Sequence, residues 1–238
     1  MSDILKLIQE RRSTRVPLDP NRSVTEEDLR KILEAARWAP TAHNMQNFEV
    51  IVVDDKKLLE KIGSIKSRVS PEFIRENLKQ LSFSEEELLE KRVGILGTMF
   101  PPSWRDPAKL DKAIAEISPA PMNQRIGGST MLLVVVYDSR KRAPASEGDF
   151  LGILSLGCVM ENMWLMAQSL GVGFQILSAF SAKPVEKEMR RILGIPEQMS
   201  IAYTCRIGYP VSTSGKYLRV RRDIGTFAHR NLYGNRRN

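Results

Sequence analysis

The run from Phe150 to Gly171 is the longest apolar stretch in the chain, and it decides where the core must lie. A helix of about 20 apolar residues is long enough to cross a bilayer. Glu161, Asn162 and Gln168 interrupt this one, and polar groups are costly where lipid replaces water. A buried helix near Gly152 to Leu170 is therefore expected, with no membrane association. Such a helix needs a cover. Met131 to Tyr137 is uninterrupted Met, Leu, Val and Tyr, which reads as a central strand covered on both faces. Phe48 to Val53 is rich in β-branched residues and reads as a second strand. Shorter strands are expected at Gly173–Leu177 and Ser200–Ile207. With 42% hydrophobic residues among 238, the chain can build a substantial core.

The helical signals lie between these strands. Ser2 is placed to cap a first helix with Ile4, Leu5 and Ile8 on one face. Thr25-Glu26-Glu27-Asp28 is close to a capping box, with Asp for the usual Glu. Leu29, Ile32, Leu33 and Ala36 follow at helical spacing, and Ala39-Pro40 ends the helix. A short helix is expected over Asp55–Ile62, and another from Pro184 to a stop at Leu193-Gly194. Helices and strands mix without strict βαβ alternation, so the fold class is α+β, a modest sheet packed with helices. No repeat or separating linker breaks the sequence, so a single domain over 1–238 is expected. Gly63 to Arg125 reads as the least regular part. It holds a charged helix from Ser84 to Arg92 and a short helix after GTMFPPSWRDP. Its Phe73, Phe83, Phe100 and Trp104 suit either a lid over a site or a satellite core.

Several chemistries are excluded. Cys158 and Cys205 sit in apolar surroundings with no CxxC spacing and read as buried, reduced thiols. His43 and His229 lack partners at zinc-binding spacing, so no metal is expected. There is no Ser/His/Asp triad, P-loop or catalytic carboxylate pair. The N-terminus has no apolar region of signal-peptide type, so a cytoplasmic location is expected. The formal charge of +8 suits nucleic acid, an anionic cofactor or an ordinary solvated surface.

Four segments offer chemistry. Arg11-Arg12-Ser13-Thr14-Arg15 follows the first helix. Guanidinium forks match phosphate, although cations also favour a solvated helix end. In Arg219-Val220-Arg221, alternate residues of an extended chain put two guanidinium groups on one side. The loop Pro40-Thr41-Ala42-His43-Asn44-Met45-Gln46-Asn47 carries side-chain amides that suit a heterocycle edge, or an ordinary turn. Gly171 to Phe180 runs through small residues that let backbone N–H groups approach a ligand.

Taken together and in order, these segments resemble the FMN-dependent nitroreductase family along nearly the whole chain. Arg-Arg-Ser-x-Arg is similar to its opening signature and Ala39 to Gln46 to its second. Gly157, Glu161 and Asn162, then Leu170-Gly171-x-Gly173, are similar to its core helix and following strand. Ile207-Gly208-Tyr209-Pro210 and the basic tail complete the match. The resemblance implies a nitroreductase-like α+β fold with a mainly antiparallel sheet, and a homodimer with flavin at the interface. It implies electron transfer from NADH or NADPH through FMN to a small electron-poor acceptor in two strokes. Arg11, Arg12 and Ser13 would hold the phosphate and ribityl region, and Arg15 the pyrimidine edge. Arg219 and Arg221 would complete the phosphate site. Pro40, Thr41 and Asn44 would come from the other subunit. Leu177, Ser178 and Ala179 would lie beside flavin N5 and O4, and Asn123 at the pyrimidine edge. Phe100 and Trp104 are candidates for the lid and acceptor contacts. The chain departs from the pattern at Asn47-Phe48, where many relatives have Pro-Trp, and at Ser178, where some have Glu. Both positions bear on the acceptor. Reductive dehalogenation or flavin cleavage on the same fold is an alternative. A basic nucleic-acid-binding module is another, disfavoured because the cations cluster with polar turns and lack stacking aromatics.

Overall fold

A computed structural model describes residues 3–126, 130–144, 146–212 and 218–236. Ser2, Lys216 and Arg237 lie outside the described residues. The chain groups into two compact units, Met1–Ser67 with Ala120–Gly215, and Arg68–Pro119 with Lys216–Asn238.

The first unit is built on a four-stranded antiparallel sheet of order β1-β2-β4-β3, with β1 Phe48–Val53, β2 Met131–Asp138, β3 Gly173–Ile176 and β4 Met199–Gly208. Phe48 pairs with Tyr137, Met131 with Ile207, and Gly173 with Gly208. Alternate residues of a strand face opposite sides, and β2 uses both sides for core. Met131, Leu133 and Val135 join a cluster with Ile32, Val159, Met163, Phe174 and Ile207. Leu132, Val134 and Val136 join another with Ile62, Ile126, Phe180, Val185 and Met189. Helices α1 (Asp3–Glu10), α2 (Glu26–Arg37), α3 (Lys56–Gly63), α4 (Asn123–Ile126), α5 (Phe150–Ser169) and α6 (Lys183–Leu193) belong to this unit. The α+β reading of the sequence holds. Leu177 falls just past β3, but its N–H still bonds the Thr204 carbonyl at 2.8 Å.

Among the described residues, α5 alone has the length and apolar composition to cross a bilayer. It is a core helix, turning Leu156, Val159, Met163, Trp164 and Ala167 inward. Ser155, also buried, is satisfied by donating to the Leu151 carbonyl at 2.7 Å. The N-terminus of α2 forms half of the expected box. Thr25 Oγ1 accepts from the Asp28 N–H at 3.1 Å, but the Asp28 carboxylate accepts from the Tyr209 hydroxyl instead of reaching back. Burial and that carboxylate push the Tyr209 phenol above its usual range. The amphipathic pattern of α1 finds little cover within the chain. Ile4, Leu5 and Ile8 are 70%, 43% and 44% exposed.

In the second unit the apparently irregular segment is largely helical, with helices at Pro71–Gln80, Glu85–Lys91, Pro102–Arg105 and Pro107–Ala115. Pro71, Pro102 and Pro107 each open a helix, where the missing N–H costs nothing. Ser84 and Glu87 close a reciprocal capping box, and Ile74, Leu88 and Ile114 are buried. Phe100 and Trp104 stack with centroids 6.2 Å apart.

Among the described glycines of the first unit, Gly173 has the tightest surroundings. A Cβ there would lie 2.7 Å from Thr14 Cγ2 and 3.0 Å from the Gly208 carbonyl. Gly173→Ala should therefore destabilise the protein by about 1–3 kcal/mol, the usual cost of overpacking. Urea unfolding measures this, and an unchanged midpoint would show that residues 11–16 can shift freely.

Candidate active site

The segment after α1 has no regular structure of its own and borrows it from β3. The Thr14 N–H donates to the Phe174 carbonyl at 3.0 Å, and Thr14 Oγ1 accepts from the Phe174 N–H at 3.1 Å. Thr14 is accordingly buried. On the α5 side, Trp164 Nε1 donates to the Arg12 carbonyl at 3.1 Å, and the Trp164 ring stacks on Phe174 at 5.4 Å. Arg11 lies 4.0 Å over the same ring and pairs with Glu161 at 3.1 Å. The arginine-rich run is therefore fixed from both sides, and Arg12 and Arg15 remain exposed.

Arg15 opens onto a cavity of about 470 Å³, shared with Gln124, Arg125, Gln175, Leu177, Ser178, Ala179 and Arg206. The size is ordinary for a small-molecule or cofactor site. Three guanidinium groups and two side-chain amides meet Ile176 and Leu177, and no carboxylate is among the lining residues. This chemistry suits a flat ring with a polar, electron-rich edge. Gln175, Leu177 and Arg206 belong to the sheet face opposite α5, because Phe174, Cys205 and Ile207 take the α5 side. Arg206 is 6% exposed, and burial lowers its pKa from the usual arginine value.

Of the residues singled out in the sequence, Arg15, Leu177, Ser178 and Ala179 meet in this cavity. Arg11, Arg12 and Ser13 lie on the same segment but do not line it. Asn123 packs against Gly63, where an added Cβ would be 3.1 Å from its own. It lines a separate cavity of about 400 Å³ with Asp54, Lys56 and Glu60. Successive helical residues project about 100° apart, so its neighbours Gln124 and Arg125 reach the main cavity instead. Pro40, Thr41 and Asn44 do not line it either. Their loop is tied to α5 by the Ala42 N–H donating to Ser155 Oγ at 3.0 Å. His43, Asn44 and Gln46 all hold positive φ, at 50°, 53° and 46°, a conformation non-glycine residues adopt at a cost. Thr41 Oγ1 accepts from the Gln46 N–H at 3.2 Å, and Gln46 Nε2 donates to Asn44 Oδ1 at 3.0 Å. Arg219 and Arg221 are exposed in the second unit, in a stretch without regular secondary structure, with Phe100 and Trp104 in the same unit.

Sequence reasoning passed over Thr14, Gln124, Gln175 and Arg206. Arg206 had a signal, a lone cation inside the apolar strand Cys205-Arg206-Ile207. Cys205 is fully buried with its thiol pKa pushed up by burial, so it is inert as a nucleophile. No cluster of metal-ligating side chains occurs among the described residues.

The described residues thus set a cationic, amide-lined cavity at the edge of an antiparallel sheet packed with helices. The sequence profile of the Nitroreductase family matches residues 8–209. The chain belongs to that family, and so to the oxidoreductases. A protein from Archaeoglobus fulgidus, provisionally named an NADH dehydrogenase/NAD(P)H nitroreductase, is 26% identical over 210 residues, 88% of this chain and 87% of that one. Among solved structures, an FMN-bound nitroreductase from Desulfitobacterium hafniense has a TM-score of 0.57 at 22% identity, covering 96% of this chain and 98% of its own. An FMN-bound nitroreductase from Bacteroides fragilis has a TM-score of 0.56 at 18% identity, with coverage of 96% and 98%.

Proposed function

We propose that the chain binds FMN and uses it to pass electrons from NADH or NADPH to a small electron-poor acceptor, such as a nitroaromatic or a quinone, in two half-reactions. The observation that carries this reading is the cavity beside Ser178, which gathers Arg15, Arg125, Arg206, Gln124 and Gln175 against Ile176 and Leu177. When bound, FMN supplies the hydride chemistry at N5, and the protein supplies position and electrostatics. Arg15 donates to the pyrimidine edge, and a positive charge there favours the electron-rich reduced form. Gln124 shares that edge, beside the Asn123 position implied by the resemblance. Leu177, Ser178 and Ala179 flank the reacting face. Arg12 and Ser13, with Arg11 shared between Glu161 and the ligand, hold the phosphate and ribityl region together with Arg219 and Arg221. FMN in two structural relatives supports the choice of cofactor. The purified protein should show flavin absorbance, and acid should release FMN alone; FAD, or no flavin, would overturn the phosphate assignment. Arg221→Ala should weaken FMN binding by about 1.5–3 kcal/mol, the worth of a charge-assisted bond, and Arg236→Ala should leave it unchanged.

The working unit is a homodimer in which Pro40, Thr41 and Asn44 of one copy complete the cavity of the other. Support comes from the apolar faces that one chain leaves open. Phe150, Ile153 and Leu154 on α5 are 63%, 52% and 52% exposed, and α1 is similarly uncovered. Patches of this kind mark interaction surfaces. Sedimentation should show a dimer, and Ile153→Asp with Leu154→Asp should give a monomer that loses flavin. A wild-type monomer with full flavin content would contradict the shared site.

The segment of about 63–125 serves as the lid over the acceptor site, with Phe100 and Trp104 facing the acceptor. Trp104→Ala should slow the half-reaction with a nitroaromatic while leaving FMN content and reduction by nicotinamide intact. Stopped-flow measurement separates the two. Loss of both half-reactions along with thermal stability would make Trp104 a packing residue.

A further inference from the structure

Arg206 is a buried cation whose charge the reading above does not use. It lies on β4 with 6% exposure, and its bonds go to neutral acceptors. Nε donates to Gln175 Oε1 at 2.8 Å, and Nη1 to the Ile126 carbonyl at 3.0 Å. Nη2 donates to the carbonyls of Thr14 at 3.2 Å and Val16 at 3.0 Å. No carboxylate pairs with it among the described residues. The guanidinium therefore gathers the strand β3, the end of α4 and the segment carrying Arg15, and it does so with an uncompensated charge.

That charge is expensive. Removing an ion from water is costly even after relaxation, and apolar residues of similar volume often replace buried ions without loss. Joining three elements does not by itself call for a net charge. The charge does have a use at this position, because Arg206 lines the same cavity as Arg15 and Ser178. A charge fixed at a buried position is less screened than one at the surface and acts more strongly on what binds beside it.

We propose that Arg206 is a positioning residue with an electrostatic function. It fixes the Arg15-bearing segment and holds the cavity at positive potential, so that the site favours the reduced, anionic form of its flavin. The inference rests on the FMN reading. Arg15 and Arg125 are exposed, and solvent screens them. Arg206 is enclosed, so its field persists when salt rises.

The experiment compares the wild-type holoenzyme with Arg206→Met and Arg206→Lys. Three quantities are read: FMN affinity, the two-electron midpoint potential, and the pH at which the reduced flavin ionises. Arg206→Met should lower the preference for reduced over oxidised flavin about tenfold, which for a two-electron couple is a fall of about 30 mV. Arg206→Lys keeps the charge and loses the fork. It should hold the potential near the wild-type value while lowering the thermal midpoint of the apoprotein. A purely structural role would lower stability in both variants and leave the potential unmoved in Arg206→Met, which would overturn the proposal. If Arg206→Met fails to fold or bind flavin, the wild-type protein decides alone. Its reduced flavin should ionise at a lower pH than free FMN, and ionisation at the same pH overturns the inference. Wild-type protein without flavin would sink the cofactor reading and this inference together. A coloured wild-type protein with an unmoved potential in the Met variant sinks only the latter.

Discussion

The site depends on one close contact, Thr14 bonded to β3 with its side chain packed where Gly173 has none. Two hydrogen bonds between Thr14 and Phe174 treat one residue of a coil as if it were another strand. Once Thr14 is fixed, its neighbours fall into place by chain geometry. The Arg12 carbonyl meets Trp164, Arg11 meets the same ring and Glu161, and the Thr14 and Val16 carbonyls meet Arg206. Backbone groups that would otherwise need water are satisfied without regular secondary structure. Arg15 is presented to the cavity from a rigid base, although its own side chain is free of the core.

The cavity forms where the sheet changes character. Along β2 both faces are apolar, and each feeds a different core cluster. Towards the C-terminal end of β4 one face stays apolar through Cys205 and Ile207, and the other turns polar at Thr204 and Arg206. A buried polar group costs free energy unless its bonds are made; Arg206 makes its own, whereas the Thr204 hydroxyl has no partner among the described residues. The carbonyls at the end of α4 and in the 14–16 segment provide acceptors that neither element satisfies internally. The placement of short α4 and of the arginine-rich segment is thus coupled to one residue of a distant strand.

The sheet was legible because its strands carry their own signals. The apolar run of β2 and the β-branched run of β1 needed no partner to be read. The tertiary bonds were not legible. Nothing in Thr14 distinguishes it locally from Ser13, and its role follows from Gly173, far away in sequence. Of the four helices of the second unit, Glu85–Lys91 and Pro107–Ala115 were legible, while Pro71–Gln80 and Pro102–Arg105 were not, because Pro71 and Pro102 are ambiguous between a break and an N-terminus. Arg15, Ser178 and their neighbours came from family resemblance. Asn123 came the same way, and it lines a separate cavity while its neighbour Gln124 lines the one beside Arg15. For α1, periodicity revealed an apolar face without revealing that the rest of the chain leaves it open.

Helix α5 sets where two of the loops singled out in the sequence can lie. Its inner face is core, but three of its residues also anchor loops. Ser155 holds the 41–47 loop, while Glu161 and Trp164 hold the arginine-rich segment. At 1.5 Å per residue, Ser155 and Trp164 are about 14 Å apart along a rigid axis, so the two loops cannot drift together. The cavity opens among Gln175, Leu177 and Arg206, on the opposite side of the sheet from α5. Thr41 and Asn44 of the same chain do not line it, and the turn beside them holds His43 and Asn44 at positive φ. The exposed stripe of Phe150, Ile153 and Leu154 begins at the end of α5 nearest that turn. Burial of the stripe against a second copy would place the turn at the edge of the contact. The same apolar surface that drives association would then carry the missing polar groups to the neighbouring cavity, linking cofactor binding to assembly.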